Sequence, residues 1–326
     1  MTATVVILTF NAAARIEQVM TAVLRQQADF DWDLLVIDSG SHDSTLSTIA
    51  GFMSKHPGKI RLHQIANADF GHGKTRNLAA RLAGGAIVVF LTHDAVPAHD
   101  GWLAAMVHPF AISERVACVY GRQIPWPRSS PNIKRDITNV FQRLGPNNAI
   151  SIHEKNGSRP GQPRVPTFFS DVNSAIRRTV LLESVPFRDL AYAEDQAFGR
   201  DVLDAGLLKV YSPFAAVFHS HDYSLLTYYR RMYDEMLGLR RATGQSLDTS
   251  VRRHAIWVAK ATLADWRLIM RDRAYSTEDK VLWFARAPFF NVARRLAIRV
   301  AASDRTPHWV GRASSLELSL KKGVPK

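Results

Sequence analysis

Apolar and polar positions along the first hundred residues fall into blocks that predict strand and helix in alternation. Residues 4–9 (TVVILT) form a β-rich apolar run, and a helical stretch follows over 15–26. Residues 33–38 (DLLVID) predict a second strand ending in a Ser/Gly/Asp turn, and 44–55 a second helix. A third strand over 60–65, a helix over 74–83 closed by Gly84-Gly85, and a fourth strand over 86–91 complete the pattern. Such alternation argues for a mostly parallel sheet with helices on both faces. Each strand ends in polar residues: Thr9 and Asn11, Asp38 and Ser39, then Thr92, His93 and Asp94. Ligands of open α/β sheets bind beyond the carboxyl ends of the strands, so these ends predict one shared site.

Beyond residue 124 the periodicity weakens. Residues 125–166 are rich in Pro, Asn, Ser and Gly and predict a long functional loop or lid. Order returns over 167–178, in a helix over 192–206 and in a short strand over 209–218. The last third predicts helices, with Leu226, Tyr229, Met232, Tyr233 and Met236 on one face of 223–241 and aromatic residues mixed with Arg over 281–300.

A chain of 326 residues with 46% hydrophobic and 22% charged positions has ample material for a packed core. The single cysteine, Cys118, excludes an intramolecular disulfide, fits a reducing compartment, and is best read as a buried apolar residue in a strand. The N-terminus lacks a basic segment and cleavage site, and no window holds 18 uncharged apolar residues. Neither a signal peptide nor a membrane-spanning helix is therefore expected. Charge is unevenly spread. Residues 225–326 carry 20 Lys/Arg against 9 Asp/Glu, so +11 of the net +13 lies there.

Four segments carry candidate chemistry. Asp94, just past a buried strand, is placed to hold Mg2+ or Mn2+, although turn aspartates are also common without a metal. Glu194 and Asp195 open a helix, where they either complement its dipole or supply a general base in Asp195. His219 and His221 alternate at a strand end, a spacing that suits a metal or phosphate contact. Residues 70–77 (FGHGKTRN) make an anion-binding environment at a helix start. A P-loop is excluded there, because the Gly required five residues before Gly73 is Ala68.

Taken in order, the segments 5–11 (VVILTFN), 36–45 (VIDSGSHDST), 92–95 (THDA) and 193–196 (AEDQ) resemble the family 2 glycosyltransferases over roughly residues 4–240. Residues 70–77, 169–175 (FSDVNSA) and 219–224 (HSHDYS) are most similar to bacterial rhamnosyltransferases. The resemblance implies a GT-A fold, Rossmann-like with helices on both faces of the sheet. The catalytic domain would span 1–224, divided into a nucleotide-binding half (1–100) and an acceptor half (101–224), followed by a basic helical region over 225–326. It implies a cytoplasmic inverting enzyme that moves a sugar, L-rhamnose from dTDP-L-rhamnose or another dTDP- or UDP-sugar, onto a glycan or lipid-linked glycan during surface polysaccharide synthesis.

Thr9, Asn11, Ser39, Arg76, Asn77 and His93 would lie at the nucleotide, and Asp38 would bond its pyrimidine. Asp94 would match the last acid of an Asp-x-Asp metal motif. Thr92 replaces the first acid, so His219 or His221 would gain importance as metal ligands. Asp171, Asn173 and Glu194 would face donor or acceptor sugar, and Asp195 would be the catalytic base. The basic last third would pack on the catalytic domain, form a homodimer interface, or dock peripherally on the anionic inner face of the cell membrane. A non-catalytic sugar-nucleotide binder is one alternative. A nucleic-acid-binding protein is another, but no RNA- or DNA-reading motif accompanies the charge.

Overall fold

The computed structural model describes residues 1–155, 168–190, 193–244, 247–303 and 314–315. The chain divides into two compact units, residues 1–124 with 141–219, and residues 125–140 with 220–326. The parts of the expected 125–166 loop and 192–206 helix that fall at 156–166 and at Tyr192 lie outside the described residues.

In the first unit, four strands run parallel: β1 (Thr2–Thr9), β2 (Asp31–Asp38), β3 (Ile60–Gln64) and β4 (Ile87–Thr92). They are connected through α1 (Ile16–Leu24), α2 (Thr45–Lys55) and α3 (His72–Leu82). The runs Val5–Ile7 and Leu34–Asp38 are buried on both faces, as a strand covered by helices on each side requires. On α1, Ile16, Val19, Met20 and Val23 form the stripe at helical spacing that covers the sheet. The expected parallel α/β pattern is what the structure contains.

The chain continues through β5 (Val96–Pro97), α4 (Trp102–Val107), β6 (Val116–Ile124), α5 (Pro131–Leu144), β7 (Ser151–His153), β8 (Asn173–Arg177), α6 (Glu194–Asp204) and β9 (Leu208–Phe218). The sheet order is β3-β2-β1-β4-β8-β6-β9-β5, with β7 paired to β9. β8 is antiparallel to both β4 and β6. That reversal brings the start of β8 beside the carboxyl end of β4. Leu91 pairs with Asn173, and the Thr92 N–H donates to the Val172 carbonyl at 3.2 Å.

The 125–166 stretch is not simply a loop, because the 14-residue α5 and the strand β7 lie within it. Its apolar period is weak because three buried positions of α5 carry Asn132, Lys134 and Arg135. The two cations are buried as ion pairs within the second unit, Lys134 with Asp272 at 2.6 Å and Arg135 with Asp265 at 2.5 Å. Asn291 supports the second pair, accepting from Arg135 at 2.9 Å and donating to Asp265 at 2.8 Å.

The rest of the second unit consists of α7 (Leu225–Thr243), α8 (Val251–Arg271) and α9 (Thr277–Ala302). Its core gathers Tyr228, Met232, Phe290, Ala293 and Ala297. Serines start all three helices: Ser224, Ser250 and Ser276 each accept an N–H from the first turn, and Ser276 with Asp279 completes a capping box.

Gly85 precedes β4, where a Cβ would overlap the Ala3–Thr4 backbone of β1. Gly85→Ala is therefore expected to destabilise the protein by about 1–3 kcal/mol, read as a lower urea midpoint at unchanged m-value.

Candidate active site

The carboxyl ends of β1 and β2 form one hydrogen-bonded cluster. Asp38, fully buried, accepts from Thr9 Oγ1 (2.9 Å), Gly40 N (3.0 Å), Ser41 N (2.9 Å) and Ser41 Oγ (2.5 Å). Four donors fill the acceptor sites of a carboxylate. As placed, Asp38 shapes the turn at the carboxyl end of β2. Ser39 bonds back to the Thr9 carbonyl through both N–H and hydroxyl. Asn11, in the left-handed region at φ 46°, donates its N–H to Ser41 Oγ and accepts from His42 N at 2.9 Å. Asp43 adds a further tie by accepting from Ala13 N. Thr9, Asn11, Asp38 and Ser39 are thus brought together, as parts of two loops locked to each other.

At the end of β4, His93 Nδ1 meets the Leu8 carbonyl at 3.2 Å, which draws the ring toward β1. Asp94 faces His219 Nε2 at 3.7 Å, both half-buried. β9 ends at Phe218, so His219 and His221 lie past the strand rather than alternating along it. The His219 N–H donates to the Ile124 carbonyl, and its Nδ1 meets Gln123 Oε1 at 3.0 Å. Gln123 in turn donates to Ser170 Oγ at 3.1 Å. This chain fixes the ring and turns Nε2 toward Asp94, the arrangement by which a neighbouring group sets a ligating histidine's tautomer. His221 is exposed and begins the second unit. The sequence offered no clue to Gln123, 96 residues away from its partner.

A second acidic cluster surrounds Arg76 on α3. Its Nη1 donates to Glu194 Oε1 at 2.6 Å, and its Nε lies 3.2 Å from Asp171 Oδ2. Asp171, just before β8, also accepts from Ser174 Oγ at 2.9 Å. Asp195, half-buried in the first turn of α6, accepts from its neighbour Gln196 N at 2.7 Å. Burial alone would lower the pKa of Arg76, but Asp171 and Glu194 outweigh it and raise it. Burial pushes Asp171 up to about 6, against the pull of Arg76. Asp195 is raised well above the ordinary carboxylate range by burial, then by Glu194 and Asp171, with Arg76 opposing.

Two candidates have other work. Asn77 donates to the Phe187 carbonyl at 2.9 Å and accepts from Phe187 N at 3.0 Å, so it clamps α3 to that backbone. A Cβ at Gly73 would overlap the Arg188 carbonyl, so the 70–77 motif is a tight packing seam as well as a helix start. Asn173 is buried, accepting from Trp102 Nε1 at 2.8 Å and donating to the Ala215 carbonyl at 2.7 Å. It joins α4, β8 and β9 from inside the core.

The comparisons with known proteins identify the family and the fold. Residues 4–183 match the family described as Glycosyl transferase family 2. The chain belongs to this family. It is 30% identical over 233 residues to the O-antigen chain rhamnosyltransferase RfbN of Salmonella typhimurium, covering 71% of this chain and 70% of that one. It is 27% identical over 234 residues to the O-antigen chain rhamnosyltransferase WbaN of Salmonella anatum, with the same coverage. Among solved structures, the mannosyltransferase PcManGT from Pyrobaculum calidifontis, in complex with GDP-Man and Mn2+, aligns with a TM-score of 0.61. That alignment is 21% identical and covers 93% of this chain and 86% of that one. The family 2 member is thus a glycosyltransferase with the GT-A fold.

A base must lose its proton before it acts, so if Asp195 is the base its raised pKa means activity that rises with pH. The acidic limb of kcat/KM is expected above the usual carboxylate value of about 4, as a property of the coupled cluster. Glu194→Gln removes one negative neighbour and frees Arg76 to act on Asp195, so the limb should move to lower pH. An unmoved or upward-shifted limb would contradict this electrostatic account.

Proposed function

We propose that this glycosyltransferase moves L-rhamnose from dTDP-L-rhamnose onto a hydroxyl of a glycan or lipid-linked glycan, with inversion at the sugar. The observation that carries the chemistry is the pair of sites flanking the carboxyl end of β4. Asp94 with His219 lies on one side, and Asp195 with its Arg76-centred cluster enters through the start of β8 and α6. One site suits the diphosphate and the other the acceptor.

Asp195 is the general base. It takes the proton from the acceptor oxygen as that oxygen attacks the anomeric carbon and the nucleoside diphosphate departs. Arg76 holds the surrounding acids in place. Burial, with Glu194 and Asp171 adding to it, raises the base's pKa and so its proton affinity. Thr9, Asn11 and Ser39 hold the rigid loop edge against which the nucleotide lies, and His93 borders it.

The facing imidazole nitrogen and carboxylate oxygen form a donor set that fits a divalent cation, so Asp94 and His219 would hold the metal. His221, two residues further along the chain, remains the candidate for an added ligand. Imidazole among the ligands favours Mn2+ over Mg2+, and the PcManGT complex contains Mn2+. When bound, such an ion neutralises charge on the departing diphosphate. The rhamnosyl donor and O-antigen-type acceptor are supported by the likeness to RfbN and WbaN.

The test is release of nucleoside diphosphate from dTDP- and UDP-sugars, with acceptor glycan present and with Mn2+, Mg2+ or EDTA. Turnover of dTDP-rhamnose is expected, lost in EDTA. Asp195→Asn should lower kcat by about 10²–10⁴-fold while leaving calorimetric dTDP binding intact. Asp94→Ala should weaken the response to metal. Preference for another donor would overturn the rhamnosyl assignment, and full activity in Asp195→Asn would overturn the base.

A further inference from the structure

The second unit presents a surface that the glycosyl-transfer chemistry does not use. α8 and α9 run antiparallel: Asp265 meets Asn291, Trp266 Nε1 donates to the Phe284 carbonyl at 3.0 Å, and Lys280 reaches the Met270 carbonyl. The Trp266 and Phe284 rings stack at 5.5 Å near the turn. On α8, Ile256, Leu263 and Met270 recur every seventh residue, opposite the buried Ala261, Asp265 and Ile269. On α9, Val281, Phe289 and Leu296 are likewise exposed, while Ala287, Phe290 and Ala297 are buried. These six outward side chains are 46–69% exposed.

The two stripes share a side. At 3.6 residues per turn, each lies roughly a quarter turn past the residues facing the partner helix, in the same rotational sense. For antiparallel helices, equal rotations of that sense point to one face. The result is a pair of apolar ridges, the α8 one about 20 Å long. A single exposed leucine needs no explanation, but aligned ridges of large apolar side chains on one face do.

Charge decides what covers them. Lys260 and Arg267 follow Ile256 and Leu263 at four-residue spacing, and Arg271 follows Met270; all three are exposed. The one acid of α8, Asp265, is buried against Arg135, and the acids of α9 stand in its first turn. Among the described residues no helix is long and apolar enough to cross a membrane. Apart from Glu278, exposed in the first turn of α9, the apolar ridges are flanked by cations, which matches the interface of an anionic bilayer, where apolar side chains enter the acyl boundary and cations meet headgroups.

We propose that the outward face of the α8–α9 hairpin docks this enzyme on an anionic lipid surface, lying on the bilayer rather than spanning it. The inference rests on the second unit alone, so its failure would leave the proposed donor and base untouched. The test is co-sedimentation of the full chain with vesicles of pure phosphatidylglycerol or pure phosphatidylcholine, at low and high salt. Binding to phosphatidylglycerol alone, released by salt, is expected. Leu263→Gln with Phe289→Gln should cost about tenfold or more in partition for each position. Lys260→Gln with Arg267→Gln should cost about fivefold for each and flatten the salt dependence. All four positions are on the surface, and unchanged dTDP binding would show that the variants fold. Absent binding, equal binding to phosphatidylcholine, or variants that bind like the wild type would overturn the proposal. So would a dimer dispersed by Leu263→Gln and Phe289→Gln in a chain that ignores vesicles, which would make a second copy the occupant.

Discussion

One buried guanidinium organises the acidic half of this active site. Removing a carboxylate or guanidinium from water costs several kcal/mol even after relaxation, and only close geometry recovers it. Arg76 meets that condition because its fork offers separate nitrogens to Glu194 and Asp171 at once. A lysine would bring one point charge and could not hold both in fixed directions. Three distant stretches of chain are joined there: α3, the entry to β8 and the first turn of α6. Burial comes first in raising the Asp195 pKa, and the excess of negative charge left by one cation facing three acids adds to it. The proposed base and the ion pair beside it are therefore parts of one electrostatic object.

The proposed nucleotide edge is solved differently. Asp38 is surrounded by neutral hydroxyl and backbone donors, and no arginine is needed to bury it. Those bonds convert the ends of β1 and β2 into a fixed edge, with Asn11 and Asp43 fastening one loop to the other. A sheet edge that is already rigid loses little conformational freedom when a nucleotide settles on it. The acidic half instead keeps the proposed base, a group whose protonation would change during the reaction.

Much of this was legible in the sequence, for a physical reason. Strands buried on both faces must read as continuous apolar runs, so β1, β2 and β4 announced themselves, and the polar residues ending them marked the site edge. What escaped was whatever depends on partners distant in sequence. Asp38, Asn77 and Asn173 have the right chemistry for ligands, but their own backbone and neighbours engage them. Gln123 orients His219, yet it looks like any polar residue near a strand end. α5 was hidden because it buries Lys134 and Arg135 through ion pairs with α8 and the residue after it, and a charged face has no apolar period.

Among the described residues, the two non-glycine positions with positive φ both stand at the carboxyl edge of the sheet. Asn11 tolerates that region, being one of the residue types enriched there, and its side chain accepts from His42 N on the facing loop. Ala193, at φ 61°, has no such compensation, and a left-handed alanine costs about 1–2 kcal/mol. The neighbouring helix supplies what holds it. Glu194, the next residue, is pinned by Arg76, and Ala193 O accepts the Ala197 N–H to begin α6. With both ends of that short link secured, the chain turns sharply and delivers Asp195 to the first turn of the helix. Strain of this kind persists only where surrounding contacts over-determine it. Its position next to the proposed base, held by the same guanidinium that sets the base's surroundings, makes it part of how the site is built.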